Sequence, residues 1–406
     1  MNDSFSFLFV NSRRSVLYMM SEISHICRNM KKRDPGSIGE REAAEYMADI
    51  LAKDCGCSSV KVEQFAVHPD AFYAFFYFVS FLSILCLVFS FVDSLLSLVL
   101  GLVTLILFVF HFVLYRPVID PLFPKRQGTN VTAIRACTEK VKRRIFFNGH
   151  IDAAWEFPLN YHFGGVLFEI PGLMTFSGIM YYTILSFCSV AGAGNWTKKA
   201  AIAGLIFAPA FVIIVFTYNP MRVVAGANDD LTGCCLGIAL LHEMETGNLS
   251  LEHTEIGVLL TGSEEAGLRG AKAWSLTHKD DFKDVPTYIV TFDTIHDPRF
   301  LMVNKRDLNG IVKSDAALSE LFLLAAKKAD VPCIVGWVPP FGGATDSAAF
   351  TQGGFRSVGI TGLNHKLEDY YHTRKDSYHN LNPEGLENCY KALVMLVKNL
   401  DNGVLD

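Results

Sequence analysis

Two stretches of this chain carry no formal charge over the length needed to cross a bilayer: Phe72 through Val92, and Ser94 through Tyr115 when His111 is neutral. About 20 apolar residues span a hydrocarbon core as a helix, so the pair reads as a transmembrane helical hairpin with Asp93 at the far surface. A second apolar region has Leu173–Val190 and Ala200–Thr217 as its two spans, is interrupted by Glu169, Pro171 and Pro209, and turns at Gly192, Gly194, Asn195 and the Lys198-Lys199 pair. It reads as a second hairpin, with a hydrophobic lid or a dimer surface as the competing reading. Composition agrees with a lipid-solvated part: Phe numbers 32, and charged residues make up 19%, below the roughly 25% of ordinary soluble domains.

Outside these runs, strand-like and helix-like segments alternate. Val60–Phe65 alternates polar and apolar as a half-buried strand does, and Val131–Ala136, Arg144–Phe147, Glu255–Leu260 and Tyr288–Thr291 supply further strands. Helices are expected over Ile38–Leu51, Leu231–Met244, Gly267–Leu276, Asp315–Ala329 and Pro383–Leu400. The first opens at Ser37 with Glu40 three residues on, a capping-box pattern. Such alternation predicts an α/β fold, a mixed, mainly parallel sheet flanked by helices, interrupted by the two transmembrane hairpins. The catalytic domain then comes in three pieces, 1–70, 116–162 and 219–406, around hairpins at 71–115 and 163–218.

Acidic residues gather where strand-like runs end. Asn228-Asp229-Asp230 and Gly262-Ser263-Glu264-Glu265 are two such places; the run to Gly149 delivers His150 and Asp152, Ile289–Phe292 delivers Asp293, and Tyr370-Tyr371 precede His372. Two histidines and several carboxylates are what a site for two zinc ions requires, because zinc accepts both imidazole nitrogen and carboxylate oxygen and a catalytic zinc keeps a position for water. Two ions about 3.5–4 Å apart can clamp the reacting oxygens, and a further carboxylate must take the water's proton and return it to the leaving group. Each hairpin returns the chain to its starting side, so His150 and Asp229 can meet across the second one. A single crossing would split the site.

The stretches Asn148–Asp152, Gly226–Gly233, Thr261–Gly270, Phe292-Asp293 and Tyr371-His372-Thr373 with Asp376 resemble, in order, those of the di-zinc aminopeptidase family, which also holds glutamate carboxypeptidases and glutaminyl cyclases. The resemblance implies a zinc exopeptidase fold and two zinc ions. It makes Asp229 the bridging ligand, His150 and Asp293 the other protein ligands of one zinc, and Glu265 and His372 those of the second. It makes Glu264 the general base, and Asp152 the carboxylate that orients the His150 imidazole. Two apolar insertions, one before His150 and one between His150 and Asp229, depart from the family pattern and must leave the ligand geometry intact.

Plainer roles compete at each position. Asp229 sits where Asp230-Leu231-Thr232-Gly233 can start a helix, and Glu264 and Glu265 suit a solvated helix N-terminus. His365 and His379 flank His372, and the local Tyr-His-Thr context prefers His372, leaving the other two as surface residues. The Phe341–Ser347 loop offers Asp346 either as a substrate-amine contact or as part of a glycine turn capping a helix over Ala348–Phe350.

The activity these features imply is that of a membrane-embedded, zinc-dependent exopeptidase, an aminopeptidase cleaving N-terminal peptide bonds through a zinc-bridging hydroxide. An amidase or carboxypeptidase acting on acylated or lipid-linked amino acids is the first alternative. A non-catalytic membrane scaffold is the second, although a scaffold has no need of Glu264. Expected partners are a peptide or amide substrate and the lipid bilayer. Nucleic acid is excluded by a net charge of −5 without a basic block. Arg116, Lys125, Arg126 and Arg222 on the catalytic side, against Lys198 and Lys199 on the other, put the catalytic domain in the cytoplasm. The apolar run Phe5–Val10 is too brief for a signal peptide. Ten cysteines without a regular framework read as free thiols.

Overall fold

The computed structural model describes residues 3–364 and 366–405; His365, expected at the surface, lies outside them. Eight strands form the main sheet: β1 (Ser59–Val67), β2 (Arg126–Arg135), β3 (Arg143–His150), β6 (Thr254–Thr261), β7 (Thr287–Ile295), β8 (Leu301–Asn304), β11 (Ile334–Gly336) and β12 (Arg356–Gly362). Two short two-stranded ribbons, β4 (Trp155–Glu156) with β5 (Asn219–Val223) and β9 (Arg306–Asp307) with β10 (Val312–Lys313), complete the strands among the described residues. The order across the main sheet is β1-β2-β6-β3-β7-β12-β8-β11. β3 is central and parallel to both β6 and β7, β12 is parallel to β7, and β2 runs antiparallel between β1 and β6. This is the mixed, mainly parallel sheet expected. Every residue of β3 and of β7 is buried, which is why these strands read as continuous apolar runs rather than as alternating ones.

Helices cover both faces. α2 (Ser12–Asn29), α3 (Ile38–Lys53), α10 (Leu231–Thr246), α12 (Ala316–Lys328) and α14 (Pro383–Asp401) contribute to one hydrophobic core with residues such as Met47, Leu240, Phe322 and Leu393. α11 (Arg269–His278) and α13 (Asp346–Gln352) contribute Trp274 and Phe350 to a second core. α1 (Asp3–Val10) and α2 were not anticipated, yet Val16, Met19, Ile23 and Ile26 bury one stripe of α2 at helical spacing. That period was legible in the sequence.

The apolar runs form helices. α4 (Pro69–Val92) and α5 (Ser94–Leu107), which continues as a π-helical turn over Phe108–Val113, make the first hairpin. α6 (Pro158–Phe163) leads into α7 (Gly165–Val190); α8 (Trp196–Ala203) and α9 (Ala208–Ile213), joined and followed by short 3₁₀ turns, make the returning span. Four helices, Pro69–Val92, Ser94–Val113, Gly165–Val190 and Trp196–Phe216, are thus long and apolar enough to cross a membrane. Pro171 does not break α7; it sits near the N-terminal end, and the helix runs through it.

The hairpins pack through small and hydroxyl residues. Ser94, Ser97, Gly101 and Thr104 line one side of α5, where Ser186 donates to Ser97 Oγ (2.7 Å), Ser97 donates to the Cys86 carbonyl (2.7 Å) and Ser94 donates to Ser189 (2.8 Å). The opposite side of α5 exposes Leu95, Val99, Val103 and Ile106, and Phe81, Ile184, Phe187 and Ile206 are exposed on the other spans. Small and polar inside with large and apolar outside is the pattern of helices packed in lipid, and a contiguous apolar surface of this kind is foreign to a water-soluble monomer. The second core runs on from Phe146, Leu259 and Ile289 of the sheet into Phe75, Tyr182 and Phe211 of the bundle. Sheet and bundle therefore share one packed interior.

A Cβ at Gly101 would overlap Thr183 Oγ1. Gly101→Val is expected to cost about 1–3 kcal/mol of overpacking and to lower the melting temperature of the detergent-purified protein, whereas Val99→Leu on the exposed side leaves it unchanged. Equal melting temperatures for wild type and Gly101→Val would rule out the α5–α7 contact.

Candidate metal centre

The carboxyl ends of β3, β6 and β7 lie side by side, so the residues that end these strands converge, as expected of a site on an α/β sheet. His150 ends β3, Glu264 and Glu265 follow β6, and Asp293 lies two residues before the end of β7. Asp229 comes from the loop between β5 and α10, and His372 from the segment after β12. His150 Nε2 is 3.1 Å from Asp229 Oδ1, and His372 Nε2 is 3.0 Å from Asp229 Oδ2 and 3.1 Å from Glu265 Oε1. Donor atoms of three groups each fall within 4.8 Å of one another: His150, Asp229 and Asp293; Asp229, Glu265 and His372; and His150, Glu264 and Glu265. All six anticipated residues are together and buried.

Buried polar side chains hold the loops that carry them. Asp230 caps α10 by accepting from Gly233 N (3.0 Å) and also accepts from His150 N (3.0 Å) and Thr294 N (3.2 Å), tying three ligand-bearing segments to one carboxylate. Asp376 accepts from the Asn228 amide (2.8 Å) and side chain (2.9 Å) and from Asp229 N (3.2 Å). Arg33, 3% exposed, donates to the Ile151 carbonyl (2.8 Å) and the Gly226 carbonyl (2.9 Å).

Asp152 has a broader role than orienting an imidazole. Its carboxylate lies 3.5 Å from His150 Nδ1, but its short bonds come from Glu264 N (2.9 Å) and Glu265 N (3.0 Å). The nearer partner of His150 Nδ1 is the Asp152 carbonyl, at 3.2 Å. Asp152 thus links the His150 segment to the Glu264-Glu265 turn. Glu40 supports that turn from below: fully buried, it accepts from Thr129 N (2.9 Å), Gly36 N (3.0 Å) and Ser263 Oγ (2.8 Å). Ser37 does cap α3 by accepting from Glu40 N, but the return bond goes to Gly36 and the rest of the carboxylate serves the site.

Burial makes the ionisable groups of this cluster interact strongly. Burial, reinforced by Glu265, Asp346 and Asp293, pushes Glu264 well above the ordinary carboxylate range, and burial with Asp229 pushes Asp293 up to about 7. Burial also works against Asp229, yet His150 and His372, each bonded to one of its oxygens, hold it below the usual range. His372, despite burial, is lifted to about 10 by Glu265 and Asp229. Glu265 Oε1 and His372 Nδ1 are buried without a hydrogen-bond partner. A single N–H on His372 Nε2 cannot serve both Asp229 and Glu265; a metal ion between them can. The donor set of imidazole nitrogens and carboxylate oxygens fits zinc.

The cluster forms the inner end of a cavity of about 350 Å³ whose wall includes Asp229, Glu264, Glu265, Asp293 and His372. The long apolar helices reach this site directly. Tyr73 of α4 donates its hydroxyl to Glu265 Oε2 (3.5 Å), and the Phe157 ring stands 4.4 Å from the His372 ring, centroid to centroid. Asp346 is absent from this wall; it lies in the first turn of α13, where it accepts the Thr261 hydroxyl, and Thr345 caps the helix. The glycine-turn reading holds for it.

Arg33, Glu40 and Tyr73 were not anticipated as parts of the site, and Asp376 was quoted without a role. Asp376→Ala leaves two backbone amides of the Asp229 loop without their acceptor. It is expected to weaken zinc affinity by about 10–100-fold, measured by competition with a chelating dye, and unchanged affinity would rule out this support. Metal-stripped protein titrated with zinc at pH 7 is expected to release protons, seen as a buffer-dependent heat; buffer-independent heat would contradict protonated donors.

A family model described as Peptidase family M28 matches residues 212–397. No curated protein sequence matches the chain. Among solved structures, the aminopeptidase from Aneurinibacillus sp. strain AM-1 superposes with a TM-score of 0.57 at 13% identity, covering 97% of this chain and 95% of that one. The zinc aminopeptidase of Bacillus subtilis superposes with a TM-score of 0.56 at 12% identity, covering 95% of each chain. A glutaminyl cyclase from Bacteroides thetaiotaomicron gives 0.55 at 11% identity, covering 96% of this chain and 97% of that one. Over residues 212–397 the chain matches the model of Peptidase family M28, and as a whole it has the fold of the zinc exopeptidases.

Proposed function

We propose that the chain is a membrane-embedded exopeptidase that holds two zinc ions and acts as an aminopeptidase. The observation that carries this reading is the convergence of His150, Asp229, Glu265, Asp293 and His372, with Glu264 beside them, all but His150 lining one cavity. Asp229, Asp293, Glu264 and Glu265 are four carboxylates, and two divalent ions balance them. Asp229 presents a different oxygen to each histidine, as a bridging ligand does.

Zinc bound there supplies Lewis acidity and a water acidified toward neutrality. The chain's own residues do the rest. Glu264, on the cavity wall and not within 3.5 Å of either histidine in any hydrogen bond, takes the water's proton on a carboxylate oxygen and hands it to the departing nitrogen. Asp152 holds the Glu264 amide so that the carboxylate stays aimed at the cavity. The neighbouring folds that bear aminopeptidase titles support release of an N-terminal residue. The four apolar helices support a multi-pass protein, with Arg116, Lys125 and Arg222 exposed beside the catalytic domain and Lys198 and Lys199 exposed at the far turn, a bias that favours a cytoplasmic site.

The test is amino-acid release by detergent-purified protein from free and N-blocked peptides. Release from free N-termini is expected, with loss on chelation and recovery with zinc. Glu264→Gln is expected to keep its metal and lose at least 10²-fold in turnover, the lower range for a positioned base, whereas Asp229→Ala loses the metal. Full zinc content in Asp229→Ala sinks the ligand assignment, cleavage confined to blocked substrates replaces the aminopeptidase by an amidase or carboxypeptidase, and no release from zinc-loaded protein favours a scaffold.

A further inference from the structure

The contact of α5 with α7 is small and hydroxylated, but the end of the bundle against the sheet is lined by aromatic and aliphatic side chains. Phe76 of α4, Phe108 and Phe112 of the π-helical turn, Phe168 and Leu173 of α7, and Ile214 of the last span wall the cavity that ends at the metal centre. Both hairpins therefore contribute to one chamber. Its charged lining groups fall into two sets. Asp229, Glu264, Glu265, Asp293 and His372 are buried at the inner end; half-buried Glu169 and exposed Lys366, 3.6 Å apart, form a pair at the outer end.

That outer end lies where α7 leaves the catalytic domain. Glu169 is in the second turn of α7, and Leu173, one turn further along, is 57% exposed. Phe341, also on the wall and 42% exposed, stacks with Phe176 and Phe108 at centroid distances of 5.4 and 5.8 Å. The mouth is thus charged on one side and apolar on the other, at the level where the bundle meets the catalytic domain. Aromatic walls around an open volume forgo dispersion contacts that a close-packed interior would make, and an apolar ligand restores them.

From this we infer that the hairpins form the substrate chamber and that the substrate is an amphiphilic amide. Its large apolar group sits among the hairpin aromatics, its scissile bond lies at the metal centre, and it enters at the membrane surface. This rests on the hydrolytic reading of the same site. The apolar group belongs either to a peptide with a bulky terminal residue or to an N-acyl amino acid. Binding rises about fourfold per methylene buried in the chamber.

Gly172 provides the test. It lines the chamber, and a Cβ added there meets no atom within 4 Å, so Gly172→Ala and Gly172→Leu fill the space without disturbing the packing. Substrates are peptides beginning with Gly, Leu or Phe, and N-acetyl and N-octanoyl leucine, in mixed micelles. Wild type is expected to favour the large member of at least one series by tenfold or more in kcat/KM. That ratio falls progressively through Gly172→Ala to Gly172→Leu, by about tenfold at Leu, and the series showing this identifies the source of the apolar group. Calorimetry with zinc-loaded Glu264→Gln gives the same ranking without turnover. Graded binding lost on Gly172→Leu, with no hydrolysis of anything, upholds the chamber and overturns the hydrolase reading. Size-independent hydrolysis or binding that Gly172→Leu does not alter overturns the chamber and leaves the hydrolase reading standing.

Discussion

Asp229 accepts from His150 through one oxygen and from His372 through the other, and much of the molecule is arranged so that this can happen. The three residues come from segments far apart in the chain, and all three are buried. Burying several ionisable groups together is costly unless their charges are compensated and their lone pairs used. The fold meets that condition with a metal-type donor set at the centre and, around it, a layer of carboxylates that accept mainly from backbone amides. Asp230, Asp376, Asp152 and Glu40 each accept from two or more donors, all or most of them in segments remote from their own. Removing any one of them leaves donors stranded in a dry interior, a larger penalty than the loss of the bond itself.

The same constraint explains how an insertion of membrane length can sit between His150 and Asp229. The β4–β5 ribbon pairs Trp155 with Val223 and Glu156 with Asn219, so the strand leaving the site and the strand returning to it are joined at the base of the second hairpin. Glu156, fully buried, receives Arg374 at 2.6 Å and Arg222 at 3.3 Å, which ties that base to the His372 segment. Phe157 N donates to the His372 carbonyl (2.7 Å), and Asn160 donates to the Tyr371 carbonyl (2.7 Å). The hairpin therefore leaves and re-enters through a clamp that includes a ligand-bearing loop.

What could be read in the sequence divides along physical lines. The buried strands β3, β6 and β7, the capped helices and the four spans follow from local pattern, because period, caps and length are properties of short segments. The donor residues were legible because each sits in a short motif at a strand end. The short strands β8 and β11, of four and three residues, carry too little period to register. α2 has a stripe from Val16 to Ile26 at helical spacing, but the adjacent Arg13-Arg14 pair and the absence of a side-chain cap at Asn11 leave its start unmarked in the sequence. Arg33, Glu40 and Tyr73 belong to a different class. Glu40 shows a correct cap in sequence and gives no sign that its carboxylate reaches Thr129 and Ser263, residues remote in the chain. Contacts of that kind are set by the assembled sheet.

Tyr73 shows that the long apolar helices are part of the candidate site and not merely packed beside it. Its hydroxyl, on a helix long enough to cross a bilayer, reaches Glu265, and its ring packs against Trp155, Phe157 and Tyr218 from the second hairpin and its flanks. A carboxylate walled by aromatics on one side and by the sheet on the other is in a low-dielectric setting, where each remaining electrostatic interaction is stronger than in water. The bundle thus excludes solvent from the donors and orients one of them. Helices serving only for attachment would have no reason to place a hydroxyl within reach of a carboxylate of the candidate metal centre, or to leave an aromatic-walled space opening onto it.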